Sequence, residues 1–238
     1  MHWKELEKCL GLYVTLIIPR HNYCGRVARV SKERILLQPG VFVAGTTLEK
    51  MVLHELGLLG AILEQTHNQN GSEIGIIPQS IRVYSIASAP SPSAFGKIIR
   101  NYSSPDELQW VKPYITSFSL DDKTNVINAW YDATTPQFKG LAALISVLQI
   151  SPSYVVSLAK NINLTPEQMT EFSCYYVKTI LLQRRLITEF YISAVQSKLL
   201  TYEYGLAEML KLAKQGDRGV HFVNQPDVDR FTTKCKPA

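Results

Sequence analysis

The sequence predicts an α+β fold, with a β-rich N-terminal unit and a helical C-terminal unit. Three observations carry that expectation. Segments before residue 86 are rich in β-branched and aromatic residues and partly alternate. A Pro/Ser-rich stretch, Ala87-Ser-Ala-Pro-Ser-Pro-Ser93, then interrupts the pattern. From Glu167 to Lys214 there is no Pro, and the only Gly is Gly205. Apolar residues recur there at helical spacing.

In the first unit, residues 1–86, Glu5–Cys9 suits a short opening helix. Tyr13–Ile18 is uncharged and β-rich, Tyr23–Ser31 alternates, and Ile35–Val43 is apolar around Pro39-Gly40. Thr47 is an N-cap for a helix over 47–65, with Leu48, Val52, Leu56, Leu59 and Leu63 on one face. Ile74–Ile86 returns as strand, broken at Pro78. Residues 87–136 read as a linker followed by a hairpin: Tyr114–Leu120 and Asn125–Tyr131 as strands, Asp121-Asp122-Lys123-Thr124 as the turn. Residues 137–238 read as a helical unit with an irregular tail. Helices are expected over Gln137–Ile150 and Pro152–Ile162. A long helix or helical hairpin should follow Thr165, its N-cap, with a break near Ser197 or Gly205.

Gly25-Arg-Val-Ala-Arg-Val-Ser-Lys-Glu-Arg-Ile-Leu-Leu37, with the strand Val14–Ile18 and the short helix before it, resembles the first signature of Sm-like proteins. Residues 76–86, around Ile77-Pro-Gln-Ser-Ile81, stand where such a barrel closes. The resemblance implies a small SH3-like or Sm-like barrel. Ser31 replaces the family's usual Asp, and no second, RNA-contacting signature follows, so it assigns RNA contact to no residue. Read without the family, Gly25 and the alternation predict a curved strand with Val27 and Ile35 facing inward, as an open meander also has.

The composition, 46% hydrophobic and 19% charged over 238 residues, excludes a disordered chain. Net charge is +5, and residues 1–119 carry 12 basic and 9 acidic side chains. The densest basic stretch holds Arg20, Arg26, Arg29, Lys32 and Arg34 against Glu33 alone, which makes it the candidate nucleic-acid surface. Strict alternation puts Arg26 and Arg29 on opposite strand faces. The opening Met-His-Trp-Lys-Glu lacks the pattern of a secretory leader, so a cytoplasmic location with reduced thiols is expected for Cys9, Cys24, Cys174 and Cys235. Gly140–Ala159 is uncharged, but its central Ser151-Pro-Ser153 reads as a break between two buried helices rather than a membrane span.

Local motifs for chemistry are incomplete. His54-Glu55 begins a zinc-protease helix, yet position 58 is Leu. Cys24 and His21 are the one close Cys/His pair, and Asp121, Asp122 and Asp132 could bind a cation, although two adjacent carboxylates at a hairpin tip read as turn residues. No nucleophile elbow, Walker loop or dinucleotide loop occurs. No metal and no cofactor is expected. Leu158–Met169 has the cadence of a helix-turn-helix with Asn163 at the turn, but Glu167 and Glu171 would meet phosphates with the wrong sign.

The aromatic run 167–214 is apolar on more than one face and needs several neighbours, internal or from a partner. Tyr191 and Tyr202 are its candidate interface residues. The leading expectation is a non-enzymatic binding or adaptor protein of an intracellular assembly, with a protein partner or self-association and no membrane role. The alternatives are an RNA- or DNA-binding protein using Arg20–Arg34, and an enzyme whose site is dispersed along the chain.

Overall fold

The computed structural model describes residues 3–43, 57–68, 72–102, 104–133, 137–214 and 222–237. The chain is α+β and folds as two compact units, residues 1–101 with 110–133, and residues 102–109 with 134–238. His54 and Glu55, and the expected helix before residue 57, lie outside the described residues.

The first unit opens with α1 (Trp3–Leu6), which continues into a 3-10 turn, Glu7–Cys9. Five antiparallel strands follow: β1 (Tyr13–Ile18), β2 (His21–Val30), β3 (Ile35–Val43), β4 (Ser72–Ile76) and β5 (Val83–Ile86). Their order is β4-β3-β2-β1-β5. The sheet is therefore open, which corrects the small closed barrel and leaves the meander. The strands at its two ends are only five and four residues long, and among the described residues each pairs on one side alone. Between β3 and β4 lies α2 (Gly57–Asn68).

One face of the sheet packs under α1. Leu6 and Cys9 meet Val14, Leu16, Val27, Ile35, Leu37, Ile76 and Ile81 in a single buried cluster. The opposite face buries Tyr13, Thr15, Cys24, Val41 and Val43. Tyr13 meets the Trp110 ring edge-on and donates its backbone N–H to Tyr114 Oη at 2.7 Å.

Gly25 is where the bent strand needs no side chain, because a Cβ there would run into the Pro39 carbonyl oxygen and Gly40. Two register shifts follow. β3 carries an extra residue between Leu37 and Gly40, and β2 carries one between Val27 and Arg29. Such bulges bend a strand and reset which side chains share a face.

The rest of the first unit is helical: α3 (Pro92–Ile98), α4 (Lys112–Ile115) and α5 (Leu120–Ala133). This corrects the expected hairpin over 114–131. Ser119 and Asp122 form a reciprocal helix start: Ser119 N–H donates to Asp122 Oδ2 at 3.0 Å, and Asp122 N–H donates to Ser119 Oγ at 3.1 Å. Val126, Ile127 and Trp130 then recur at helical spacing and are all buried. α5 lies close against α3 because Gly96 presents no side chain to the Val126 carbonyl. The Pro/Ser stretch before α3 is packed, with Leu59 N–H donating to Ser88 O and Ser91 capping α3.

The second unit holds α6 (Phe138–Leu148), α7 (Pro152–Asn161), α8 (Pro166–Thr179), α9 (Arg184–Gln196), α10 (Tyr202–Lys214) and α11 (Gln225–Cys235). α6 packs on α8, α7 on α9, and α11 on both α9 and α10. Ser151-Pro152 restarts the chain after the left-handed Gln149, and among the described residues no helix is long and apolar enough to cross a membrane. Thr165 caps α8 with Gln168 in a full capping box. The run 167–214 divides into three helices, with breaks at 180–183 and 197–201. The second break is the one expected near Ser197. Gly205 instead sits inside α10, where a Cβ would come within 2.8 Å of the Phe231 ring of α11.

Candidate functional site

The basic stretch folds into β2, β3 and the turns at their ends. Arg20 occupies the β1–β2 turn with φ 74°, while Lys32 belongs to the β2–β3 turn at the far end of a ten-residue strand. At 3.3 Å per residue those ends are about 30 Å apart. The five basic residues therefore do not share one patch. Ser31 clasps the far turn: its Oγ donates to the Arg34 carbonyl and accepts from Arg34 N–H, both at 3.0 Å.

The bulge in β2 changes the arithmetic of alternation. Arg26 pairs with Tyr13, and Arg29 pairs with Leu36, so both belong to the face away from α1. Arg34 reaches the same face, its side chain lying across the space where Gly75 would carry a Cβ. Arg29 and Arg34 are exposed, whereas Arg26 is half-buried with its Nε lacking a hydrogen-bond partner. Among the described residues none of Arg20, Arg26, Arg29, Lys32 and Arg34 joins an ion pair.

The other face carries a surface that the charge run does not mark. Pairing places Phe42, Tyr23, Leu16 and Tyr84 side by side across β3, β2, β1 and β5. The neighbouring row holds His21 and Ile18, and by alternation Arg82, whose N–H donates to Ile17 O. Phe42 is 49% exposed, and its ring stands 5.2 Å from that of His21 and 5.7 Å from that of Tyr23. Tyr23 and Tyr84 pack on the core cluster beneath with part of each ring open to solvent. Ile86 (49%) adds exposed apolar surface to this face and Ile77 is exposed before β5, whereas Val83 (55%), paired with Ile17, projects from the opposite face. The legible signal is that 21 and 23 share a face of one strand; that 42 lies across from 23 is set by cross-strand register.

Catalytic arrangements do not assemble from the sequence candidates. His21 and Cys24 project from opposite faces of β2. Burial pushes the Cys24 thiol up to about 11, with a hydrogen bond from Thr15 acting the other way. It stays protonated and unreactive near neutrality. Asp122 is engaged in capping α5, and no cluster of three metal-ligating side chains occurs among the described residues. Asn163 does take the left-handed turn before α8, with φ 56°.

Of the two tyrosines expected at an interface, Tyr191 is fully buried within the helical unit, next to Phe190 at 5.4 Å. Burial raises its phenol well above the ordinary range. Tyr202 is half-buried and stacks on Phe231 at 5.8 Å. No protein-family model, curated protein or solved structure matches the chain.

Proposed function

We propose that this chain is a non-enzymatic binding or adaptor protein of an intracellular macromolecular assembly, and that it engages its partner through the N-terminal sheet. The observation that supports this most is that Phe42, Ile77, Val83 and Ile86 are left exposed on and beside an open sheet, Phe42 and Ile86 on one face and Val83 on the other. Apolar and aromatic side chains left out of a core in one region mark an interaction site. A short edge strand such as β5, paired with β1 alone among the described residues, adds its outer backbone groups to that surface. Sedimentation in extracts of the source cells tests the reading. Wild type should travel in a large species, and a Val83→Lys, Ile86→Lys double variant as a single chain. A wild type that sediments alone at its native concentration would overturn the proposal.

A second reading, nucleic-acid binding through Arg20–Arg34, draws support from the β2 bulge, which sets Arg26 and Arg29 on one face, where neither joins an ion pair among the described residues. If those two side chains contact phosphates, Arg26→Ala and Arg29→Ala should each lower the salt dependence of binding by about one unit of log–log slope. An unchanged slope in both variants would remove this surface from consideration.

A further inference from the structure

We propose that the tip between α8 and α9 is a contact site for an anionic lipid surface. Leu181 and Leu182 enter the headgroup layer there, and Lys178 and Arg184 meet its negative charge. The site belongs to the helical unit and goes beyond the reading of the sheet as a binding element.

The turn itself presents the apolar tip. Gln183 N–H donates to Ile180 O at 2.8 Å, which closes residues 180–183 into a tight turn. Ile180 is buried and anchors it, so Leu181 and Leu182 occupy the apex. Leu182 is 90% exposed, more than any other large apolar side chain among the described residues. A single exposed leucine needs no explanation on its own. The charges around this one give it a role.

Those charges are of one sign. Lys178 and Arg184 flank the turn, are exposed, and join no ion pair among the described residues. Arg185 and Lys211 are matched within their own helices by Glu189 and Glu208. α6 and α7, which pack on α8 and α9, bring no carboxylate, because residues 133–166 contain neither Asp nor Glu. Glu171 of α8 lies nine residues before Ile180, about 13 Å away along the helix. α10 runs back along α9, with Gly205 facing Val195 and Glu208 near Tyr191. That direction carries the exposed, unpaired Lys214 toward the same end.

Shape then selects lipid over protein. A stable protein interface takes about 800 Å² from each partner, and a convex tip of two side chains supplies a small part of that. A bilayer needs no matching pocket, since its headgroup boundary closes around a protruding apolar side chain. Anionic headgroups add attraction for each Lys or Arg held near the surface. The contact departs from the expectation of no membrane role, which rested on the lack of a spanning segment. A surface contact needs none.

The test is co-sedimentation of the full chain with vesicles of phosphatidylcholine containing about 30% phosphatidylserine, beside vesicles of phosphatidylcholine alone. The anionic vesicles should hold half the protein at about 0.1–1 mM lipid, the strength of a single acyl anchor. Raising the ionic strength to about 1 M should release most of it. Leu182→Ser should weaken binding roughly tenfold or more, with an unchanged melting curve because the side chain is exposed. Lys178→Gln and Arg184→Gln should each weaken it roughly fivefold. Arg34→Ala, which removes an equal charge from the sheet, should change it less than about twofold. Absence of binding at about 5 mM anionic lipid overturns the proposal, as does equal binding to the uncharged vesicles. So does indifference to Leu182→Ser or to both charge variants. If vesicles bind no protein and Leu182→Ser instead disperses a large species formed in cell extracts, the tip docks on protein and the lipid proposal fails.

Discussion

One aromatic group in each unit is handled in the opposite way. In the helical unit Phe172, Tyr176, Phe190, Tyr191 and Phe231 are all fully buried. The first four form one stacked and edge-packed group, with Tyr176 and Phe190 only 4.9 Å apart, and Phe231 stacks on Tyr202. In the sheet unit Phe42 and His21 stand in solvent, Tyr23 and Tyr84 are half-open, and Ile77, Val83 and Ile86 are exposed beside them. Of the two residues expected at an interface from the sequence, Tyr191 thus lies in a core and Tyr202 is half-buried. The aromatic side chains that remain available sit on strands that no motif marks. An aromatic-rich helix fills its neighbours' grooves from several sides, whereas an open sheet has two faces and here only partial cover for one.

The largest test of that contrast is Tyr191→Ala. Removing a fully buried aromatic should cost about 3–5 kcal/mol of stability in denaturant melts and leave association unchanged. A small stability loss with loss of association would place Tyr191 at an interface after all.

Next in size is a pH effect in the sheet unit. Cys24 has its pKa raised from about 9 to about 11 by burial, so the folded state holds the thiol proton more tightly than the unfolded chain. The resulting stabilisation is complete below pH 9 and lost as pH rises to 11, by about 2–3 kcal/mol. Melts of wild type should therefore lose more stability over that window than melts of Cys24→Ala. Parallel slopes would mean that Cys24 is not buried as described.

A smaller effect separates helix from hairpin between residues 114 and 131. Ser119→Ala removes the cap of α5 and should cost about 1 kcal/mol. A hairpin would not register the change. The smallest effect is expected at Phe42, where replacement by Leu should alter stability by less than about 0.5 kcal/mol. A loss near that of Tyr191→Ala would show the Phe42 ring to be part of a core, and the contrast between the units would collapse.

Much of the architecture was written in local chemistry. Thr165-Pro-Glu-Gln168 is a capping box and starts α8, and Ser151-Pro152 separates α6 from α7. Asn163 adopts the left-handed turn that its short side chain tolerates. Ser119-Leu-Asp-Asp122 carried the same kind of signal, but the β-branched and aromatic residues around it favoured strands on composition. Propensity is a weak prior there, and the reciprocal cap with the buried spacing of Val126, Ile127 and Trp130 decides for helix.

Other features depended on contacts between residues far apart in the chain. Gly205 has the composition of a helix break, yet it lies within a helix because Phe231 needs its surface. Ile180-Leu-Leu-Gln183 contains good helix formers and still ends α8, with Ile180 buried and Leu182 90% exposed. The candidate sites show the same division. The sequence determined that Arg26 and Arg29 exist three residues apart on a strand, and alternation alone sets them on opposite faces. Only the tertiary structure decided that they share one, because a bulge inserts a residue when β2 bends across β3. Phe42 and Tyr23 likewise meet through strand pairing. The sequence determines which side chains a strand presents to each face, and cross-strand register, a property of paired chains, decides which of them become neighbours.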